Sequence, residues 1–188
     1  MNLITSFDMY VLHALYSVRV LQVSYVFIGF TEFGGVPIIL GLTTCTLLAL
    51  WLKGRYAEIA GLLFVVGGSG VMTYFLKHLV HRARPDIFYR AYPESGFSFP
   101  SGHATDAAAF YGFAAFLIIR LAPDAYRRVG AIICGFFVLM IGFSRLYLGV
   151  HFFSDVVAGF AVGFIFLALS LRVVGLAEKY FKTLQATS

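Results

Sequence analysis

His151 and Asp155 stand at positions i and i+4 in the stretch SRLYLGVHFFSD. On a helix that spacing puts both side chains on one face. The carboxylate can then hold the imidazole in one tautomer and leave the other ring nitrogen's lone pair free. Arg145, in the same stretch, adds a permanently charged guanidinium. A second stretch, PSGHA, sets Ser101, Gly102 and His103 just before an apolar run that begins at Ala104. This resembles a helix start, where free backbone N–H groups and the helix dipole favour an anion, with His103 at its mouth. A third stretch, KHLVHRARP, places Lys77 seven residues before Arg84, which Pro85 follows. A point-charge ammonium and a planar guanidinium can together grip a phosphate. Taken singly, each stretch also has a plainer reading: a basic collar among lipid headgroups, a helix cap, a buried ion pair. A metal site is a poor fit. Lys77, Arg84 and Arg145 would repel a divalent cation, and no third His or acidic cluster adds ligands. The cations would instead supply the charge neutralisation that magnesium supplies elsewhere in phosphoryl transfer. No metal and no other cofactor is therefore expected.

The elements that carry these residues must sit in a membrane. The chain has 188 residues, room for one domain, of which 60% are hydrophobic and only 12% charged. A soluble domain carries about 25% charged residues, and the mean hydropathy here is +0.87. Uncharged apolar runs cover residues 36–52, 59–76, 107–119, 129–144 and 156–171. A spanning helix needs about 20 apolar residues. The last three runs reach that length only over 104–122, 129–148 and 151–173, which draws Asp106, Arg145, His151 and Asp155 to the membrane boundary. Ionisable residues placed there are candidates for function. The first 33 residues read as an interfacial helix with Phe7, Val11, Ala14, Val18 and Leu21 near one face, while Asp8, His13, Ser17, Arg19 and Gln22 interrupt the rest. A span over residues 9–30 is the alternative. Gly34, Gly35 and Pro37 mark a turn before the next run. The expectation is an all-α membrane protein, a helical bundle of five or six transmembrane helices with an N-terminal amphipathic helix. Its parts are an N-terminal segment (1–33), a membrane-embedded domain (34–175) and a cytoplasmic tail (176–188). No cleavable signal peptide is evident. Cys45 and Cys134 lie inside apolar runs and read as small buried hydrophobes.

If the spans alternate, Lys53 and Arg55 share one side with Arg120, Arg127, Arg128, Arg172, Lys179 and Lys182. The positive-inside rule makes that side cytoplasmic. Residues 77–103 and 145–155 then face outward together. Their own cluster of Lys77, Arg82, Arg84 and Arg90 runs against the rule, and binding an anion would account for it. A net charge of +5 with no basic helix face gives no reason to expect a nucleic-acid partner.

Together the three stretches resemble the type 2 phosphatidic acid phosphatases, integral membrane lipid phosphatases whose site is shared with vanadium haloperoxidases and bacterial acid phosphatases. The pattern Lys–x6–Arg–Pro, Pro–Ser–Gly–His, Ser–Arg–x5–His–x3–Asp is matched at every defined position, over about residues 30–173. The resemblance implies that His151 is a nucleophile forming a phosphohistidine and that Asp155 orients it. It implies that His103 serves as general acid and then base, and that Lys77, Arg84, Arg145, Ser101 and the Gly102 N–H cradle the phosphate. It implies a metal-independent enzyme of a bacterial inner membrane, facing the periplasm or cell exterior, with a membrane lipid as substrate. Undecaprenyl diphosphate, phosphatidylglycerol phosphate, phosphatidic acid and lipid A phosphate are the candidates, and the oligomeric state stays open. A lipid phosphotransferase, or an anion-binding protein or transporter without turnover, are the alternatives. His78, His81, Arg82 and Arg90 fall outside the pattern and read as headgroup-facing charge or as a second anion subsite. Asp86 and Glu94 read as loop solubilisers, and Asp106 as a partner of the helix dipole or a tuner of His103.

Overall fold

The computed structural model describes residues 3–187, with side chains through residue 183. Seven helices follow in order: α1 (Leu3–Ser17), α2 (Leu21–Glu32), α3 (Val36–Leu52), α4 (Tyr56–Val80), α5 (Gly102–Leu121), α6 (Asp124–Tyr147) and α7 (Phe153–Thr187). Among the described residues there is no strand, and a single 3₁₀ turn, Ile87–Tyr89, lies in the long loop between α4 and α5. Helices α4 to α7 are each long and apolar enough to cross a membrane, and α2 with α3, bent by 41°, makes a fifth span if counted as one. With that pair counted, the number is five, the lower of the two expected; without it, four.

The N-terminal region is helical as expected, but it is divided into two helices, which excludes the alternative of one span over residues 9–30. No helix runs through residues 9–30, because the chain breaks at residues 18–20. The groups freed there find partners: the Val20 N–H donates to the Tyr147 hydroxyl at 2.9 Å, and Arg19 donates to the carbonyls of Tyr147 and Tyr89 at 2.9 and 2.7 Å. The apolar face of α1 points outward, as that of an interfacial helix would toward lipid. Phe7 and Val18 are 49% and 63% exposed, whereas Asp8 and Leu12 are buried. The acid that interrupts the helix's apolar surface is the residue that anchors it.

Small residues set how the bundle closes. Helix α5 lies at its centre, with Ala104, Ala107, Ala108 and Phe113 fully buried. Gly159 and Gly163 of α7 face it. A Cβ at Gly159 would lie 2.6 Å from the Ser101 carbonyl oxygen, and one at Gly163 would lie 2.6 Å from Ala108 Cβ and 2.7 Å from the Thr105 carbonyl oxygen. In a membrane there is no hydrophobic drive between helices, so close backbone approach through glycine and alanine is a main source of their packing. Here that approach draws the start of α5 against the start of α7, and Ser101 N–H donates to the Asp155 carbonyl at 3.0 Å. At the bend between α2 and α3, a Cβ on Gly34 would meet Ile141 Cγ2 at 2.5 Å and the His103 carbonyl oxygen at 3.3 Å. The bend thus passes directly over the first turn of α5.

The bundle has two unlike ends. At one, Glu58 is buried between Arg55 and Arg120, and Arg120 also pairs with Glu178. At the other, the end of α4, the first turn of α5, the last turn of α6 and the start of α7 converge beneath the loop 81–101. Helix α7 continues unbroken through the residues expected as a tail.

Candidate active site

The loop and the four helix ends bring the three sequence motifs into one cluster. Arg145, in the last turn of α6, is completely buried. Its guanidinium donates to Thr31 Oγ1 at 2.8 Å, to the Tyr92 hydroxyl at 2.5 Å and to Glu94 Oε2 at 2.5 Å. Its Nε is buried with no hydrogen-bond partner. Arg84 is held by the carbonyls of Ser95, Gly96 and Val150 at 3.0 Å each, and its Nη2 lies 3.6 Å from Glu94 Oε1. Both guanidinia therefore converge on one anionic group, the Glu94 carboxylate. Burial alone would raise that carboxyl's pKa. Arg145, Arg84 and His103 outweigh burial and hold it at about 2. The sequence reading of Glu94 as a loop solubiliser is corrected: it is an anion lodged among the cations.

His151 is almost wholly buried, just before α7. Arg84 Nη1 donates to its Nε2 at 3.0 Å. A guanidinium can only donate, so Nε2 carries the lone pair and Nδ1 carries the proton. Nδ1 faces Asp155 Oδ2 at 3.5 Å and Ser98 Oγ at 3.4 Å. Burial pushes the His151 imidazole down to about 4; the hydrogen bond to Asp155 opposes the shift, while the charges of Arg145 and Arg84 reinforce it. The ring is thus neutral near pH 7, with its free lone pair aimed at a cation.

The expected reason for the His151–Asp155 contact needs correction. Helix α7 begins at Phe153, so the two residues do not share a helical face. Asp155 lies in the first turn, where its Oδ2 accepts from the Phe152 N–H at 2.9 Å, and this local cap turns the carboxylate back toward His151. Ser98 Oγ also donates to Oδ2, and Arg82 Nη1 donates to Oδ1 at 2.7 Å.

His103 sits in the first turn of α5, where it feels the charges of Arg145, Glu94, His151 and Arg84. A Cβ on Gly35 would come within 3.8 Å of its Nε2. Ser101, wholly buried, is the N-cap of α5, its Oγ accepting from Ala104 N–H at 3.5 Å. Open space lies where a Gly102 side chain would go. Lys77, in the last turn of α4, donates to the Phe97 carbonyl at 2.7 Å.

Several other charged residues have structural posts that the sequence did not reveal. Arg90 binds the carbonyls of Pro85 and Glu94 at 2.6 and 3.1 Å, which shapes the loop rather than facing headgroups. Asp86 caps the 3₁₀ turn by accepting from Phe88 N–H. His81 ends α4 at φ 51° and packs edge-on against Phe97, and His78 bonds the Tyr74 carbonyl. Arg82 and Ser98 both reach Asp155, and no spacing rule in the sequence points to either. Among the described residues, no three His, Cys, Asp or Glu side chains gather as a metal-binding group.

An imidazole with an oriented lone pair, a second histidine, and guanidinia converging on one anion form a constellation suited to phosphoryl transfer. Similarity to known proteins points the same way. The PAP2 superfamily model matches residues 58–179. The phosphatidylglycerophosphatase B of Bacillus subtilis (strain 168) is 32% identical over 180 residues, which is 95% of this chain and 87% of that one. The lipid A 1-phosphatase of Rhizobium johnstonii is 37% identical over 132 residues; the match takes in 65% of this chain and spans half the length of that relative. The crystal structure of a transmembrane PAP2-type phosphatidylglycerolphosphate phosphatase from Bacillus subtilis superposes with a TM-score of 0.85 at 31% identity, over 95% of this chain and 88% of that one. The Aquifex aeolicus LpxE structure shares the fold, with a TM-score of 0.70 at 23% identity over 87% and 94% of the two chains. The sequence motifs, the fold and the relatives agree: this chain belongs to the PAP2 superfamily and is a multi-pass membrane phosphatase.

Proposed function

We propose that the protein hydrolyses a lipid phosphomonoester or diphosphate through a phosphohistidine on His151. The observation that carries this reading is the 3.0 Å contact between Arg84 and the unprotonated Nε2 of His151. A phosphate gripped by that guanidinium would lie beside the attacking lone pair. In the first step the Nε2–P bond forms as the P–O bond to the leaving group breaks, and His103 gives its proton to the departing oxygen. In the second, His103 takes a proton from water, whose oxygen attacks phosphorus and releases inorganic phosphate and free His151. Arg84, Arg145 and Lys77 balance the charge on the equatorial oxygens, and the unpartnered Arg145 Nε is a donor ready for one of them. Ser101 serves this cradle by capping the helix whose N-terminus, at Gly102, faces it.

Phosphatidylglycerol phosphate is the leading substrate, because the relative matched over 95% of this chain is a phosphatidylglycerophosphatase. Undecaprenyl diphosphate, phosphatidic acid and lipid A phosphate are the comparison set. Purified protein given these four lipids with EDTA present should release phosphate fastest from phosphatidylglycerol phosphate, at a rate unchanged by the chelator. Activity lost on chelation and restored by magnesium or zinc would contradict the metal-free mechanism. The site is proposed to face away from the cytoplasm, since the opposite end carries most of the Lys and Arg. A cysteine at exposed Ser95 should then react with an impermeant thiol reagent in intact cells, and one at exposed Asp124 only after the membrane is opened. The reverse pattern would place catalysis on the inner leaflet.

A further inference from the structure

Asp8 is only 1% exposed, although it sits on a helix that lies outside the family match. Its carboxylate has three donors. Oδ1 accepts from the Ser154 N–H at 2.8 Å, and Oδ2 accepts from Ser154 Oγ at 2.6 Å and from Arg82 Nη2 at 2.7 Å. Arg82 turns its other terminal nitrogen, Nη1, to Ser154 Oγ and to Asp155 Oδ1, each at 2.7 Å, while its guanidinium stacks 4.3 Å over the Phe152 ring. A chain of charge-assisted bonds thus runs from α1 through Arg82 to the carboxylate that faces His151.

We propose that Asp8 is a positioning residue for phosphoryl transfer, fixing Arg82 so that Asp155 keeps one oxygen for His151. An arginine facing a single carboxylate tends to pair with both of its oxygens. Here Asp8 occupies Nη2, so Arg82 takes only Oδ1 of Asp155. Oδ2 stays with Ser98, the Phe152 N–H and His151. The charges add in the same direction. Two carboxylates around one guanidinium leave a net negative charge beside the imidazole, which becomes cationic when Nε2 bonds phosphorus. Without the Asp8 charge that network is neutral, and Arg82 is free to draw Asp155 away.

The inference rests on His151 as nucleophile, yet the two fail separately. An active His151→Ala enzyme would remove the nucleophile; an inactive His151→Ala with a fully active Asp8→Asn would remove the positioning role alone. Asp8→Asn keeps the shape and removes the charge. It should lower kcat about 10- to 100-fold, the size of one charge-assisted hydrogen bond, with KM changed less than about threefold. In an Asp155→Asn background, assayed with an aryl phosphate, the same change should cost less than about twofold, because coupled residues do not add. Ser154→Ala, which removes the hydroxyl shared by Asp8 and Arg82, should lower kcat about three- to tenfold and decides the matter if Asp8→Asn fails to fold. An unchanged kcat, a rise in KM alone, or equal losses with and without Asp155 would overturn the proposal and leave Asp8 a structural anchor.

Discussion

His151→Ala should abolish turnover while the protein still folds into the membrane. Asp155 lies behind the ring on the Nδ1 side, Arg84 and Arg145 can only donate, and the Glu94 carboxylate is held by both guanidinia. In a covalent enzyme whose residues act as a unit, removing the nucleophile costs about 10⁶-fold in kcat. Activity within tenfold of the native enzyme would sink the assignment. The same imidazole sets the acid limb of the pH profile. His151 is depressed to about 4, chiefly by burial. The reactive neutral form is therefore present above that value and is lost as pH falls through it. After correction for the substrate's own ionisation, kcat/KM should hold steady down to about pH 5 and then fall. A limb near the ordinary histidine value of about 6.5 would mean the nucleophile is more exposed than the structure has it.

His103→Ala should lower kcat about 10²- to 10⁴-fold on a lipid phosphate, the usual worth of a general acid. The loss should shrink sharply for an aryl phosphate, whose leaving group departs without a proton. The split follows from the proposed role, since a lipid alkoxide needs a proton to leave and an aryl oxide does not. His103 is packed in the first turn of α5 beneath the close pass of Gly34 and Gly35, on a different element from the nucleophile. Equal losses on both substrates would show that His103 binds phosphate rather than protonating the leaving group.

The parts of this site that were legible in the sequence are those fixed by local spacing. Lys77, Ser101, His103, Arg145, His151 and Asp155 each sit near the end of an apolar run, Arg84 follows Lys77 in the loop, and alternating spans bring those ends together. The apolar runs themselves predicted α3 to α7 to within a few residues, apart from the longer C-terminal reach of α7. What stayed hidden depends on approaches between distant segments. Asp8 meets Ser154 across 146 positions, and no periodicity reports such a contact. In α1 the hydrophobic pattern marked the outward face but not the burial of the one acid, Asp8, on the other side. Glu94 was hidden for a related reason. A lone carboxylate in a polar loop looks solvated until two guanidinia from other elements are seen to meet at it. Even the His151–Asp155 pair was found through a helix spacing that the fold does not use, since the contact is made by a cap at the start of α7.

Direct detection of the intermediate tests the account most squarely. The purified enzyme would be mixed with lipid phosphate, quenched in alkali within a single turnover, and digested for mass spectrometry. Phosphohistidine survives base and is lost in acid. The account predicts one added phosphoryl group on the peptide containing His151, removed by acid and absent from His151→Ala. Rapid phosphate release with no phosphorylated peptide, or a phosphoryl group on the peptide containing His103, would contradict it.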